Sequence, residues 1–146
     1  MDLSLTGKRA LVCGSSQGIG KAAAVELAAL GAEVTLLARD AGRLAAALPA
    51  LPTRHGQKHG FLVADFTRPD DVRAAAAAAL EGKPAGAGWH ILVNNTGGPS
   101  PGPLTEASAE QFRTAFDMQL LCAHELVRIC LPAMKAAKYG RIVNII

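Results

Sequence analysis

Aromatic residues are scarce in this sequence, 4% of 146 residues, and Tyr139 is its single tyrosine. Cysteine is nearly as rare, with Cys13, Cys122 and Cys130 forming an odd, widely spaced set. That spacing gives no disulfide framework, no CxxC redox pair and no zinc pattern, so the thiols read as buried and reduced. His55, His59, His90 and His124 are equally scattered. They read as structural, with the linker pair His55 and His59 solvated, and no metal is expected. No uncharged apolar run approaches the roughly 18 residues that span a bilayer. The opening "MDLSLTGKRA" lacks the layout of a signal peptide. The net charge of +3 contains no block of like charge. Nucleic-acid and membrane-surface partners both call for clustered Lys and Arg, so neither is expected. A soluble, cytoplasmic protein is the expectation.

What the sequence does have is apolar mass and a rhythm. Half of its residues are apolar and 18% are charged, a balance outside the disordered range. The length suits one domain, residues 1–146. Short β-branched runs alternate with Ala/Leu-rich ones. "RALVC" (9–13), "EVTLLA" (33–38), "FLVADF" (61–66), "HILVN" (90–94) and "RIVNII" (141–146) read as strands. Helices are expected over 20–31, ended by Gly31, and over 41–48, with a Pro/Gly-punctuated linker at 49–60. Thr67, Pro69 and Asp70 read as the capped start of a helix running through the alanines of 74–79. Ser108 with Gln111 opens a long helix to about Lys138, with a kink at Pro132.

Strand–helix alternation with nearly uninterrupted apolar strands predicts an α/β fold, a doubly wound parallel sheet in the order 3-2-1-4-5. In that fold ligands bind beyond the carboxyl ends of the strands. The first strand-to-helix turn is "CGSSQGIG" (13–20). Gly14 would let the chain turn tightly, Gly18 would let backbone approach a bulky anion, and Gly20 would let the helix pack closely. The helix would then present unpaired N–H groups to a phosphate, with Ser15 and Ser16 adding hydroxyl donors, and the nucleotide would lie across the turn, touching Gly14, Ser15, Ser16, Gly18, Ile19 and Gly20. The context favours a nucleotide site.

The Gly-x-x-x-Gly-x-Gly spacing resembles that of the short-chain dehydrogenase/reductase family, and other features follow suit in the same order. Asp65, after the apolar third strand, matches the family's adenine-binding aspartate, with Phe66 lining the same pocket. "NNTG", Asn94, Asn95, Thr96 and Gly97, resembles the family's Asn-Asn-Ala-Gly motif. "LPAMKAAKYGRIVNI" (131–145) resembles its approach to strand five. The resemblance covers the whole chain. It implies a nicotinamide-dependent oxidoreductase acting on a small-molecule carbonyl or alcohol. The loop "NNTGGPSPGPL" looks most like members that are 3-oxoacyl carrier-protein reductases. At the end of strand two, Ala38 stands where an NAD-type aspartate would align and Arg39 follows. A guanidinium there suits the 2′-phosphate, so NADP(H) is the expected cofactor. Asp40 is read as the cap of the next helix.

The sequence also departs from the family. Members use a serine after strand five and a tyrosine and lysine four apart on the following helix. Tyr139 precedes a glycine in a helix-to-strand turn and Val143 stands four residues on, so no catalytic residue is assigned here. Gln119 occupies the position of the family's active-site asparagine, which puts that role in doubt. Strand five is still running at Ile146 with a bare edge, so the chain reads as the cofactor-binding, N-terminal part of such a protein. A catalytically silent nucleotide-binding or interaction module stays open as the alternative. Finally, Phe112, Phe116, Leu120, Ala123, Val127 and Leu131 recur at helical spacing and are expected to face the sheet. Met118, Leu121, Cys122, Leu126, Ile129 and Cys130 fill the flanks. The resemblance implies that this helix joins a subunit interface, hence a homo-oligomer.

Overall fold

The computed structural model describes residues 3–84, 86–98 and 101–145. Five parallel strands, β1 (Arg9–Cys13), β2 (Glu33–Ala38), β3 (Gly60–Val63), β4 (Ile91–Asn94) and β5 (Arg141–Asn144), lie in the order β3-β2-β1-β4-β5. The expected topology is the observed one. In register, Leu11 of β1 faces Thr35 of β2 and Leu92 of β4.

Alternation along β1 builds two cores. Ala10 and Val12 point to one face, where Val34, Leu36 and Ile91 meet α1 (Gly18–Ala29) and α2 (Ala41–Ala47) through Ala24, Ala28 and Leu44. Leu11 and Cys13 point to the other face. There Leu37 and Leu92 meet α3 (Pro69–Ala78) and α5 (Cys122–Ala136) through Val72, Ala76, Leu126 and Cys130. Burying each such aliphatic side chain contributes about 1.5–3 kcal/mol. All three cysteines are buried and free. Burial holds the Cys130 thiol up at about 12, so it stays protonated and inert.

Five expectations change at this level. Strand three ends at Val63 rather than Phe66. The Asp65 carboxylate accepts the Thr67 N–H at 2.9 Å, and the Asp65 carbonyl accepts the Arg68 N–H at 3.0 Å. That turn pulls the chain off the sheet. It also displaces the expected Thr67 cap: Arg68 is the cap residue and caps nothing with its side chain, although Pro69 opens the helix as expected. His59 is not a solvated linker residue. Its Nδ1 accepts the Val34 N–H at 3.0 Å and its Nε2 lies 3.0 Å from the Pro52 carbonyl oxygen, pinning the linker to β2.

The fourth and fifth changes lie in the C-terminal third. The capping box of Ser108 and Gln111 is present. The helix it starts, α4 (Ala109–Phe116), joins α5 through a π-helical turn at Asp117–Leu121, and α5 continues through Pro132 to Ala136. The stripe that faces the sheet is Cys122, Leu126, Cys130 and Met134, one residue away from the stripe expected. Phe112, Phe116 and Leu120 stay 56%, 52% and 54% exposed. Two apolar stripes run side by side along this helix, and the smaller cysteines fit the narrow space against Leu11 and Phe66. Strand five ends at Asn144, with Ile142 and Val143 exposed rather than buried, and Ile146 lies outside the described residues.

At the other end of β4, His90 is buried and its Nδ1 accepts the Arg9 N–H at 3.1 Å. The proton therefore sits on Nε2, and the 3.4 Å approach of the Arg9 guanidinium to that atom is not a hydrogen bond. Burial first, then the charges of Arg9 and Lys8, hold the His90 pKa below its ordinary value. The unfolded chain then binds a proton more readily than the folded one. Stability is fully present above the unfolded value near 6.5 and is lost as pH falls below it. We expect urea unfolding to show a drop in stability between about pH 7 and pH 5. That drop should be smaller in His90→Gln; parallel pH profiles would remove His90 as its source.

Candidate functional site

The loops leaving β1, β2, β3 and β4 converge at the carboxyl edge of the sheet around a cleft of about 470 Å³. The β1–α1 turn forms its floor. Gly14 and Gly18 both have positive φ, 57° and 58°. A Cβ on Gly20 would overlap the Gly14 carbonyl oxygen and come within 2.8 Å of the Cys13 carbonyl oxygen. At Gly18 nothing lies within 4 Å. One glycine therefore permits close packing and another leaves bare backbone facing the cleft. No side chain caps α1, so the first N–H groups of its opening turn keep their donors for something else.

The remaining residues singled out from the sequence separate by position. Ser16 lines the cleft, but Ser15 is buried and its hydroxyl accepts the Leu37 N–H at 2.9 Å. Its side chain ties the turn to β2 instead of facing a ligand. The Ile19 side chain is exposed and lies outside the lining. Arg39 lines the cleft at the end of β2 and has no ion pair among the described residues. Asp40 caps α2, its Oδ1 accepting the Arg43 N–H at 2.9 Å. Asp65 and Phe66 form the β3 wall. Hydrogen bonds from the Thr67 N–H and hydroxyl outweigh the effect of burial, and with the charges of Arg39 and Arg68 they hold the Asp65 carboxyl below its usual range.

On the β4 side, Asn95 donates from Nδ2 toward the carbonyl oxygens of Cys13 and Gly14, at 3.3 and 3.4 Å. Thr96 and Gly97 line the cleft, and Thr96 Oγ1 is buried with no partner among the described residues. Asn94 is outside the cleft; its Nδ2 donates to Asn144 Oδ1 at 2.8 Å, joining β4 to β5. Gln119 likewise stands off the cleft, against a void of about 10 Å³ that it shares with Asn94, Thr96 and Asn144. Tyr139 is at the opposite edge of the sheet, its ring between Lys8 Nζ at 4.4 Å and the Arg141 guanidinium at 4.7 Å. No tyrosine or lysine lines the cleft among the described residues. Gln17, Asp40, Arg43, Thr67, Gly98 and Met118 also line it, although the sequence gives Asp40, Thr67 and Met118 only structural roles and the other three none. Arg43 lies in the first turn of α2, just after the strand end that carries Arg39, and that nearness in sequence is the signal for it. Met118 had none, because its place depends on the π-helical turn.

The cleft thus presents bare backbone donors, a guanidinium with no ion pair among the described residues and a carboxylate along its walls. The description "short chain dehydrogenase" belongs to the family whose profile matches residues 8–146. Glucose 1-dehydrogenase of Gluconobacter oxydans (strain 621H) is 32% identical over 133 residues, 91% of this chain and 47% of that protein. The crystal structure of L-sorbose reductase from Gluconobacter frateurii, complexed with NADPH and L-sorbose, is 33% identical with a TM-score of 0.84. The match covers 97% of this chain and 53% of that one. A 3-oxoacyl (acyl-carrier-protein) reductase from Agrobacterium tumefaciens C58 with NADP bound is 28% identical with a TM-score of 0.81, again over 97% and 53%. The chain spans about half the length of the curated relatives it matches.

The two glycines should respond differently to a methyl group. Gly20→Ala is expected to cost about 3 kcal/mol, because the overlap is with backbone that cannot swing aside. Gly18→Ala meets open space and should cost only about 1 kcal/mol for its left-handed backbone. Equilibrium unfolding in urea measures both, and equal losses would contradict this division of labour.

Proposed function

The chain belongs to the short chain dehydrogenase family, and we propose that residues 1–146 form the NADP(H)-binding domain of an oxidoreductase. Its reaction would interconvert a ketone and a secondary alcohol, with 3-oxoacyl compounds as the substrate class. The observation that carries the choice of cofactor is the pair of residues closing β2. Ala38 offers no carboxylate to ribose hydroxyls, and both Asp40 oxygens are turned to Arg43, one to its N–H and one to its guanidinium at 3.6 Å. That leaves Arg39, unpaired, as the group available to a 2′-phosphate. The NADPH complex of L-sorbose reductase supports the same choice.

The residues present fit the group. Bare backbone at Gly18, with nothing within 4 Å of its Cβ position, leaves room for a pyrophosphate over the uncapped start of α1. Asp65, whose Oδ1 accepts the Thr67 N–H, is the carboxylate on the β3 wall that would accept from the adenine amino group. Thr96 lines the cleft, but its Oγ1 is buried with no partner among the described residues, a hydroxyl left unsatisfied at a cost of about 1–3 kcal/mol. When bound, the nicotinamide would supply or accept hydride. This chain's residues bind and orient. Asn95 fixes the end of β4 against the glycine turn, and Phe66 and Met118 keep that part of the cleft apolar.

The substrate class rests on the loop "NNTGGPSPGPL" and is supported by the likeness to the 3-oxoacyl reductase. The three free thiols suit a reducing compartment, and the cytoplasm is the location we assign. Among the described residues no helix is long and apolar enough to cross a membrane. The exposed stripe of Phe112, Phe116 and Leu120 is the surface we assign to a homo-oligomer.

Cofactor choice is tested by titrating NADPH and NADH against the chain and Arg39→Ala. A hydrogen bond to a charged group contributes about 1.5–3 kcal/mol. Arg39 is exposed, so we expect the low end, a loss of about tenfold for NADPH and little change for NADH. Equal losses would remove Arg39 from the phosphate site. Phe116→Glu should shift the mass seen by light scattering from oligomer to monomer; a wild-type monomer at micromolar concentration would refute the oligomer.

A further inference from the structure

We propose that Arg43 is a second specificity-determining cation for the 2′-phosphate, and that Asp40 restrains it; this rests on the NADP(H) reading above. Arg43 lies in the first turn of α2, four residues after Arg39, and lines the same cleft. Its guanidinium spans two loops. Nη1 is 3.4 Å from Gln17 Oε1 on the glycine turn, and Nε is 3.6 Å from Asp40 Oδ2 on the β2–α2 turn. An exposed pair at i,i+3 contributes little to folding, so stability does not account for the arrangement. What the arrangement does is hold a planar five-donor group in the cleft that Arg39 also lines, so that both positive charges act on an anion bound there.

Asp40 sets how far they add. Its Oδ1 is fixed by the Arg43 N–H at 2.9 Å, so the carboxylate cannot leave without uncapping α2. Its other oxygen faces the Arg43 guanidinium and offsets part of that charge. A 2′-phosphate therefore meets two cations and one anion, against a charge of its own near −2. Unphosphorylated ribose has no such charge, so Arg43 and Asp40 bear on the choice between cofactors more than on affinity for both.

The test uses NADPH and NADH titrations at low ionic strength with four proteins: wild type, Arg43→Ala, Asp40→Asn and the double variant. Asparagine caps helices as well as aspartate, so Asp40→Asn removes charge while keeping the cap, which a thermal melt verifies. Arg43→Ala should weaken NADPH about two- to fivefold and leave NADH unchanged. Asp40→Asn should tighten NADPH by a similar factor, and the gain should vanish in the double variant, because it acts through Arg43. Both effects should shrink in high salt. Loss of both cofactors alike in Arg43→Ala, or a gain that survives in the double variant, would overturn this role. If NADPH preference depends on Arg39 but ignores Arg43, only this inference fails. If wild type has no preference for NADPH over NADH, the functional reading fails and takes the inference with it.

Discussion

The first turn of α1 packs so closely on the ends of β1 and β4 that no side chain fits at residue 20. A Cβ there would overlap the Gly14 carbonyl oxygen, and one at Gly14 would overlap the carbonyl oxygen of Asn95. This contact sets the depth of the cleft. Because α1 starts directly on the sheet edge, its uncapped N–H groups and the bare backbone of Gly18 lie at the floor instead of above it. Asn95 completes the contact from β4, reaching both Cys13 and Gly14. Ser15 does so from the other side through Leu37. The turn is flexible in composition and fixed in place by three neighbouring strands.

Around that floor, charge is distributed by which loops are tied to themselves. Asp40 spends its carboxylate on the start of α2, and Asp65 spends part of its own on the turn before α3. Arg39 has no such local partner. The opposite edge of the sheet is organised by different means: His90 is held neutral against Arg9, and Tyr139 is stacked between Lys8 and Arg141. The Tyr139 ring serves that edge, away from the converging loops. The only tyrosine of the sequence is thereby accounted for structurally.

The topology and most strand limits were legible because apolar runs in a parallel sheet are dense and their turns are marked by glycine. β1 and β2 have the limits the sequence predicts. Strand three did not, because "FLVADF" looks continuous while the Asp65 carboxylate folds the chain back on Thr67. Hydrogen bonding by one side chain overrode the apolar pattern. Most of the cleft was legible too, since the glycines, Arg39, Asp65 and Thr96 all follow strand ends. Ser15 and Asn94 were not separable from their neighbours: adjacent residues in an irregular turn face opposite ways, and only the hydrogen bonds to Leu37 and Asn144 decide it.

The helix after Ser108 shows why composition misleads most where two apolar stripes coexist. Its larger side chains suggested the buried face, yet Cys122, Leu126 and Cys130 fill the space beside β1 and α3 and leave Phe112, Phe116 and Leu120 outside. The π-helical turn at Asp117–Leu121 adds a residue within this run, and such turns recur at functional positions. Here it brings Met118 to the cleft wall and leaves Gln119 against the void shared by Asn94, Thr96 and Asn144. A glutamine reaches one methylene further than asparagine into that space, while Thr96 adds a hydroxyl that has no partner there. Gln119 and Thr96 thus meet at one place. They enlarge the polar content of a pocket too small to hold more than about one water molecule, so a change at either position bears on the packing of the other.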